Sequence, residues 1–534
     1  MACLAVLVGA PEVSPFEDAS VRSGIRAVLH NGATPDKHQI ETMAGGIAVI
    51  DFDNDGHADL FLTNGAPQPD LRKTGPEWWN RLYRNRGDGT FEDVTEKAGL
   101  KGAGYSIGVA VADFDNDGWP DIFVAGVDRN ILYRNRGDGS FEDVTERAHI
   151  PHTGWAVSAA FFDADNDGWN DLFIVNYVKW NPATEPFCGD PALGVRTYCH
   201  PRFYEPLPNI LLHNNRDGTF SDVSRQSGIG AYAGKGMGVA VGDYDNDGRA
   251  DFIVTNDTTP NFLFHNEGGM KFREVGMEAG IALNEDGRAL SSMGVDFRDV
   301  DNDGREDIFI TSLSNETYPL YRNLGSGLFK DITYSSRLGA QTIQLTGWGL
   351  GIYDFDNDGH KDLFTANGDV NTNTELFSNR ESKQRCALFW QKENNRFERE
   401  EIGEPAWYRG AAFADFNGDG LLDVAVARLN MPPAILLNRS GQGRHWVAFA
   451  LEGTRSNRDG IGALLHLVTS SGEQWNHCTT AVGYASASER LVRFGLNHES
   501  RVARLDVRWP SGIEQTLYDL PVDRVTKLRE PGRP

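Results

Sequence analysis

One nine-residue acidic loop returns seven times along the chain and limits the fold more than any other feature. It reads DFDNDGHAD from Asp51, DFDNDGWPD from Asp113, DADNDGWND from Asp163, DYDNDGRAD from Asp243, DVDNDGRED from Asp299, DFDNDGHKD from Asp354 and DFNGDGLLD from Asp415. Oxygen donors at positions 1, 3, 5 and 9, with a Gly at position 6 free to take a positive φ, let a short loop wrap one hard cation. The candidate ligands are Asp51, Asp53, Asp55 and Asp59; Asp113, Asp115, Asp117 and Asp121; Asp163, Asp165, Asp167 and Asp171; and Asp243, Asp245, Asp247 and Asp251. The later loops add Asp299, Asp301, Asp303 and Asp307; Asp354, Asp356, Asp358 and Asp362; and Asp415, Asn417, Asp419 and Asp423. Calcium is the natural occupant. Magnesium wants fewer carboxylates and a stricter octahedron, and zinc wants His or Cys, which these loops almost entirely lack. Up to seven Ca²⁺ are expected, in a structural role, because ligands tied into one tight loop leave little room for substrate. Asn417 still offers a carbonyl oxygen, so the last site is expected to be weaker rather than lost.

The loops start 50 to 62 residues apart, except for 80 between the third and fourth, a period that fits one four-stranded propeller blade each. A small-residue strand such as GVAVA (108–112) precedes each loop, and an alternating apolar one such as DLFLT (59–63) follows it. Five residues before the first Asp stands Gly46, Gly108, Ser158, Gly238, Gly294, Gly349 or Gly410, as innermost strands crowding a central axis require. A second motif, LYRNRGDGTFEDVTEKAGL (82–100) and its copies from 132, 211, 263 and 320, reads as strand, Gly turn, strand. The seventh repeat lacks it, yet PFEDASVRSGI (15–25) matches TFEDVTEKAGL (90–100) with Phe16 in register with Phe91. The expected fold is therefore all-β: a seven-bladed β-propeller over 13–442, with 13–25 closing blade seven and an insertion at 178–208 in blade three. From about Gly443 the acidic loops stop while strand-like runs continue (HWVAFAL, ALLHLV, RLDVRW), so 443–530 reads as a small β-sandwich-like domain.

The formal charge of −25 argues against a nucleic-acid partner, since a phosphate backbone needs a basic surface. No stretch approaches the roughly 20 apolar residues of a membrane-spanning helix. Residues 1–12, opening MACLAVLVGA, read equally as the tail of a secretory signal or as a buried N-terminal strand. Cys188 and Cys199 flank a Gly/Pro-rich insertion and are placed to staple it in an oxidising compartment, while Cys386 and Cys478 are either buried thiols or a second pair. Export to the cell exterior, periplasm or cell surface is the expectation, where millimolar calcium fills sites of moderate affinity.

Together the loops and NxGDGTFxDV hairpins resemble FG-GAP repeats of the integrin-α type, and HW…LEG…SNRDGIGA…GYAS…RFGL…VRWPSG (445–512) resembles the ASPIC/UnbV domain. Their combination, with CGDP…YCHP at 188–201, is similar to the cartilage acidic protein family and its bacterial relatives, some encoded with enediyne antibiotic pathways. The resemblance covers nearly the whole chain. It implies a secreted calcium-binding propeller followed by a β module, adds the position-7 carbonyl to each ligand set, and implies no established reaction.

Eight residues before each first Asp stand Met43, Tyr105, Trp155, Lys235, Ser291, Thr346 and Trp407, near the channel mouth opposite the acidic loops. They differ in every repeat, mixing aromatic, cationic and hydroxyl groups as a ligand surface would; varied loop packing is the competing explanation. Arg86-Gly87-Asp88 and Arg136-Gly137-Asp138 spell the tripeptide that integrins recognise on their ligands, but both fall where the repeated hairpin needs turn residues. No catalytic signature of the GxSxG, HExxH or P-loop kind appears, and of the thirteen His only His200 and His213, near the insertion, invite a test. The expected function is calcium-stabilised extracellular binding of a protein or glycan. The alternative is an enzyme using the propeller mouth, a polysaccharide lyase or an accessory enzyme of secondary metabolism.

Overall fold

Each acidic loop turns an innermost strand into its antiparallel neighbour. In the first repeat Ile47–Ile50 enters the loop and Asp59–Leu62 leaves it, with Ile50 opposite Asp59. The second motif adds Arg81–Asn85 and Phe91–Asp93, completing a four-stranded sheet. The computed structural model, which describes residues 14–152, 154–192 and 194–532, contains seven sheets of this order. The reading of residues 1–12 as a signal remnant lies outside the described residues. Innermost strands Ile47–Ile50, Ser106–Ala112, Ala156–Phe162, Gly236–Gly242, Val295–Arg298, Gly347–Tyr353 and Tyr408–Ala414 each pack on the next, and the last returns to the first. The result is an all-β, propeller-like ring, its core formed by the apolar faces between adjacent sheets.

The seventh sheet draws its outermost strand from the start of the chain. Phe16–Asp18 pairs antiparallel with Ala434–Asn438, Phe16 lying opposite Asn438. Phe16 is 5% exposed and meets Phe355 edge-on at 5.9 Å; Phe91, also 5% exposed, meets Phe416 the same way at 5.8 Å. Equal sequence has produced equal packing in two distant places. A single helical turn follows several outer strands, as at Thr95–Ala98, and ends on Gly99 at φ 78°. The expected strand, turn, strand lacked this element because four residues are too few to carry a helical period.

Residues beyond 443 form two sheets. His445–Glu452 pairs with Val492–Asn497 and, in parallel, with Arg524–Arg529; Leu464–Val468 lies between Glu473–His477 and Arg501–Arg508, with Glu514–Pro521 outermost. Val447, Phe449, Leu465, Leu467, Phe494 and Leu505 are buried in one shared core. This domain sits on the acidic-loop end of the ring. Asp459 Oδ2 accepts from Asp113 N at 2.7 Å, Asn116 Oδ1 accepts from Arg458 N at 2.9 Å, and Arg508 pairs with Asp243. Buried His477 bridges the two parts, its Nδ1 2.7 Å from Glu306 and its Nε2 3.1 Å from the Val241 carbonyl.

Between those sheets, residues 479–489 run into the ring and fill its axis. Gly483 and Val295 exchange backbone hydrogen bonds at 2.8 and 3.2 Å, Val109 N donates to Ala485 O at 3.1 Å, and Val49 N donates to Ala487 O at 2.9 Å. The glycines five residues before each loop thus make room for two neighbours. A Cβ on Gly46 would lie 2.5 Å from the Ile107 carbonyl of the next strand and 2.6 Å from the Ala485 carbonyl of the plug. Ser158, the exception in that series, accepts the Ala485 N–H on its hydroxyl at 3.0 Å. Gly46→Val is therefore expected to cost about 3 kcal/mol or more and to open 479–489 to protease, whereas Ser158→Gly should cost about 1 kcal/mol. A Gly46→Val protein that melts and resists proteolysis like the parent would show that the plug is not tightly seated.

Candidate metal centres and the closed channel

In all seven loops the position-1 Asp accepts the N–H groups of positions 5 and 6. In the first, Asp51 accepts the N–H groups of Asp55 and Gly56 at 3.0 and 3.1 Å, and Asp59 accepts those of Asn85 and Phe52 at 2.7 and 3.2 Å. Positions 1, 3 and 9 converge: the carboxylates of Asp51, Asp53 and Asp59 lie within 4.8 Å of one another, as do those of Asp113, Asp115 and Asp121 and of Asp163, Asp165 and Asp171. At position 5, Asp55 and Asp117 meet Arg84 and Arg134 at 2.8 and 2.7 Å, while Asp167 comes within 4.8 Å of Asp165 and His213. In the last loop the Asn417 amide donates to Asp419 at 3.0 Å.

Five position-3 oxygens, the Oδ1 atoms of Asp53, Asp115, Asp165, Asp301 and Asp356, are buried without a hydrogen-bond partner. Buried anionic oxygens left unpaired are costly, and a cation bound among them removes the cost. Burial pushes the neighbouring carboxyls upward: Asp59 and Asp113 to about 8, Asp163 and Asp251 to about 7, Asp243 and Asp299 to about 6. These acidic clusters can hold metal ions, and an all-oxygen donor set suits a hard one.

Two features escaped the sequence reading. The position-4 Asn takes a positive φ, 54° at Asn54, and links each of the first five loops to the next: Asn54 Nδ2 donates to Gly118 O, Asn116 to Gly168 O, Asn166 to Gly248 O, Asn246 to Gly304 O and Asn302 to Gly359 O. The recurring DNDG was the available signal. Opposite the carboxylates, the third strand of the sheet places Arg84, Arg134, His213, His265 or Arg322, recognisable as the residue before the Asn of each LxxN run. His213 accordingly belongs to the third acidic loop, 3.1 Å from Asp171, and has no contact with the insertion's chemistry; His200 accepts the Arg202 N–H and caps a turn.

At the opposite mouth the residues eight before each loop lie within the fold. Met43, Tyr105, Trp155, Lys235, Ser291 and Thr346 are all buried, and Trp407 is half-buried beneath Lys383. Tyr105 donates to the carbonyls of Asn31 and Ile40, Trp155 packs on Tyr177 and Trp180, and the Met43 carbonyl accepts the hydroxyl of Tyr484 from the plug at 2.7 Å. Variation along this series reflects different packing partners. A cap lies over them, built from residues 26–45, the insertion and the segment 369–382. Glu185 of the insertion holds His38 Nδ1 at 2.6 Å and Gln39 N at 2.9 Å, and Tyr198 donates to buried Glu41 at 2.9 Å. Tyr198 N also donates to Asn371 at 3.0 Å. Cys188 and Cys199 are joined with Cα atoms 5.2 Å apart, and Cys386 and Cys478 are buried and unpaired. The Arg-Gly-Asp segments lie in hairpin turns, with Gly87 at φ 82° and Asp88 accepting from Thr90.

Residues 51–124, 113–174, 205–254, 243–310, 299–365 and 368–426 match the family described as FG-GAP-like repeat, and 453–534 match the one described as ASPIC and UnbV. The chain is an FG-GAP repeat protein with a C-terminal ASPIC and UnbV domain. This FG-GAP protein is 27% identical over 307 residues to cartilage acidic protein 1 of Homo sapiens, the match taking in 54% of the chain and 43% of the human protein. The Mus musculus protein of the same name gives 27% over 307 residues, 54% of the chain and 44% of the relative. The match thus spans less than half the length of these relatives. Among solved structures it is similar to an Agrocybe aegerita lectin described as recognising non-reducing terminal N-acetylglucosamine (16% identity, 73% of this chain, 86% of that one, TM-score 0.41). A rhamnogalacturonan lyase, YesW, gives 14% identity, 80% of this chain, 76% of that one and a TM-score of 0.40. Among the described residues no helix is long and apolar enough to cross a membrane.

Proposed function

We propose that this chain is a secreted, calcium-stabilised seven-bladed propeller with a β-sandwich-like C-terminal module, and that it binds an extracellular protein or glycan through the cap on its far mouth. The observation that carries this reading is the division between the two ends. The acidic loops face the C-terminal domain, the axis is filled by residues 479–489, and the cap presents side chains that its own packing does not use. Phe187 and Phe203 of the insertion are 50% and 51% exposed, each with an arginine over its ring, Arg196 at 5.2 Å and Arg202 at 5.0 Å. Exposed aromatic rings beside cations are typical anchors in recognition surfaces, where a few such residues carry most of the affinity. Leu376 and Phe377 add exposed apolar surface on the segment the insertion rests upon.

Glycan and protein arrays probed with and without calcium test this. Binding should require calcium and fall about tenfold or more in the Phe187→Ala/Phe203→Ala double variant, with the melting temperature unchanged. Full binding by that variant removes the cap from the interface. Chemically altered ligand recovered after incubation would instead support an enzyme.

A further inference from the structure

The fourth acidic loop differs from the other six in two atoms. In six loops the position-9 Asp has both oxygens engaged by backbone, its Oδ2 accepting the position-2 N–H of Phe52, Phe114, Ala164, Val300, Phe355 or Phe416. In the fourth, Asp251 Oδ1 accepts from Asn266 N at 2.7 Å, but Oδ2 is buried with no hydrogen-bond partner, on a side chain only 1% exposed. The second atom is a nitrogen. His265 stands where the first, second and fifth sheets place Arg84, Arg134 and Arg322, and its Nδ1 is also buried without a hydrogen-bond partner. That nitrogen lies 3.4 Å from Asp251 and 3.6 Å from Asp245. Tyr244 packs edge-on against the imidazole at 5.8 Å and fixes its plane.

Asp245, Asp251 and His265 bring their ligand atoms within 4.8 Å of one another, with Asp245 on the open side, where water can complete a coordination sphere. We infer that the fourth loop is a site for a divalent transition ion held by Asp245, Asp251 and the His265 imidazole, beside loops whose donors are all oxygen. This rests on the reading that the loops are metal sites. Calcium gains little from an imidazole nitrogen, whereas zinc, cobalt and their neighbours favour it, so one ring nitrogen separates the two classes of ion. Both unpaired atoms are then satisfied by a single ion. The third loop also brings Asp165, Asp167 and His213 within 4.8 Å of one another, but there His213 is hydrogen-bonded to Asp171 Oδ1 at 3.1 Å and Asp171 Oδ2 accepts from Ala164 N at 3.0 Å, so neither of these two atoms lacks a partner.

The test uses the full chain, stripped with chelator, equilibrated in millimolar calcium and given Co²⁺ as the probe. After gel filtration in calcium, about one Co²⁺ per chain should remain, with visible absorption bands of a nitrogen-ligated ion. His265→Arg, which installs the residue found at this register in three other sheets, should retain at least about tenfold less cobalt with its calcium content unchanged. His213→Arg should retain cobalt like the parent. His265→Gln, closer to imidazole in size, serves as the second variant should the first fail to fold. Cobalt washed out while calcium stays bound overturns the inference and leaves the calcium reading intact; loss of both metals overturns both. Undiminished cobalt in either His265 variant also overturns it.

Discussion

Stripping the metal is expected to lower the melting temperature by roughly 10 °C or more. A site filled at a hundred times its dissociation constant stabilises the fold by about 2.7 kcal/mol, and two such sites suffice for that shift at roughly 2–4 °C per kcal/mol. The pH dependence should also change sign. In the stripped protein burial raises Asp59, Asp113, Asp163, Asp243, Asp251 and Asp299 to about 6 to 8, above the unfolded value of about 3.9. A group whose folded-state pKa is raised favours the fold while protonated, and that contribution is lost as pH climbs through the folded value. Stripped protein should therefore melt higher at pH 5 than at pH 8. Loading with calcium should reverse the order, because the ion needs deprotonated ligands. Calorimetry at both pH values, on samples whose metal content is known, checks both statements. A melt unmoved by chelation, on protein shown to be metal-free, would sink the structural role of the loops.

A chain beginning at residue 26 is expected to aggregate, while one beginning at residue 13 should behave like the parent. The longer truncation removes Phe16–Asp18, leaving Ala434–Asn438 as an unpaired edge and uncovering Phe355. It also removes Glu17, which pairs with Arg439 at 2.7 Å. Phe16→Ala alone should cost about 3 kcal/mol, the usual cost of deleting a buried phenyl ring. Size-exclusion chromatography and thermal melts distinguish the outcomes. If the chain from residue 26 stays monomeric and melts like the parent, this strand does not close the ring.

Much of this was written locally. An acidic loop able to hold a cation is a property of nine consecutive residues, so Asp51 to Asp59 could be read without knowing what lay around them. Repeats read equally well, since Phe16 and Phe91 share a context of eleven residues and meet equivalent phenyl rings. His265 was harder. Its meaning depends on a strand pairing that brings it across to Asp245 and Asp251, and an isolated His carries no such information. The residues of the far mouth show the same limit. The burial of Tyr105, Trp155 and Lys235 could not be read from their own segments, because what covers them comes from residues 26–45 and 178–208.

By itself, then, the sequence determined the all-β class, the repeat, the acidic loops and the family, because each is carried by short patterns and by a period along the chain. Tertiary structure alone decided that the axis is closed. The plug at 479–489 meets residues that lie as much as 441 positions earlier, as Tyr484 meets Met43, and Ala485 closes on Gly46; no local pattern states that distant partners share one space. It decided equally which carboxylates and imidazoles face one another, since those contacts arise only when strands from different parts of the chain are paired and the ring is shut.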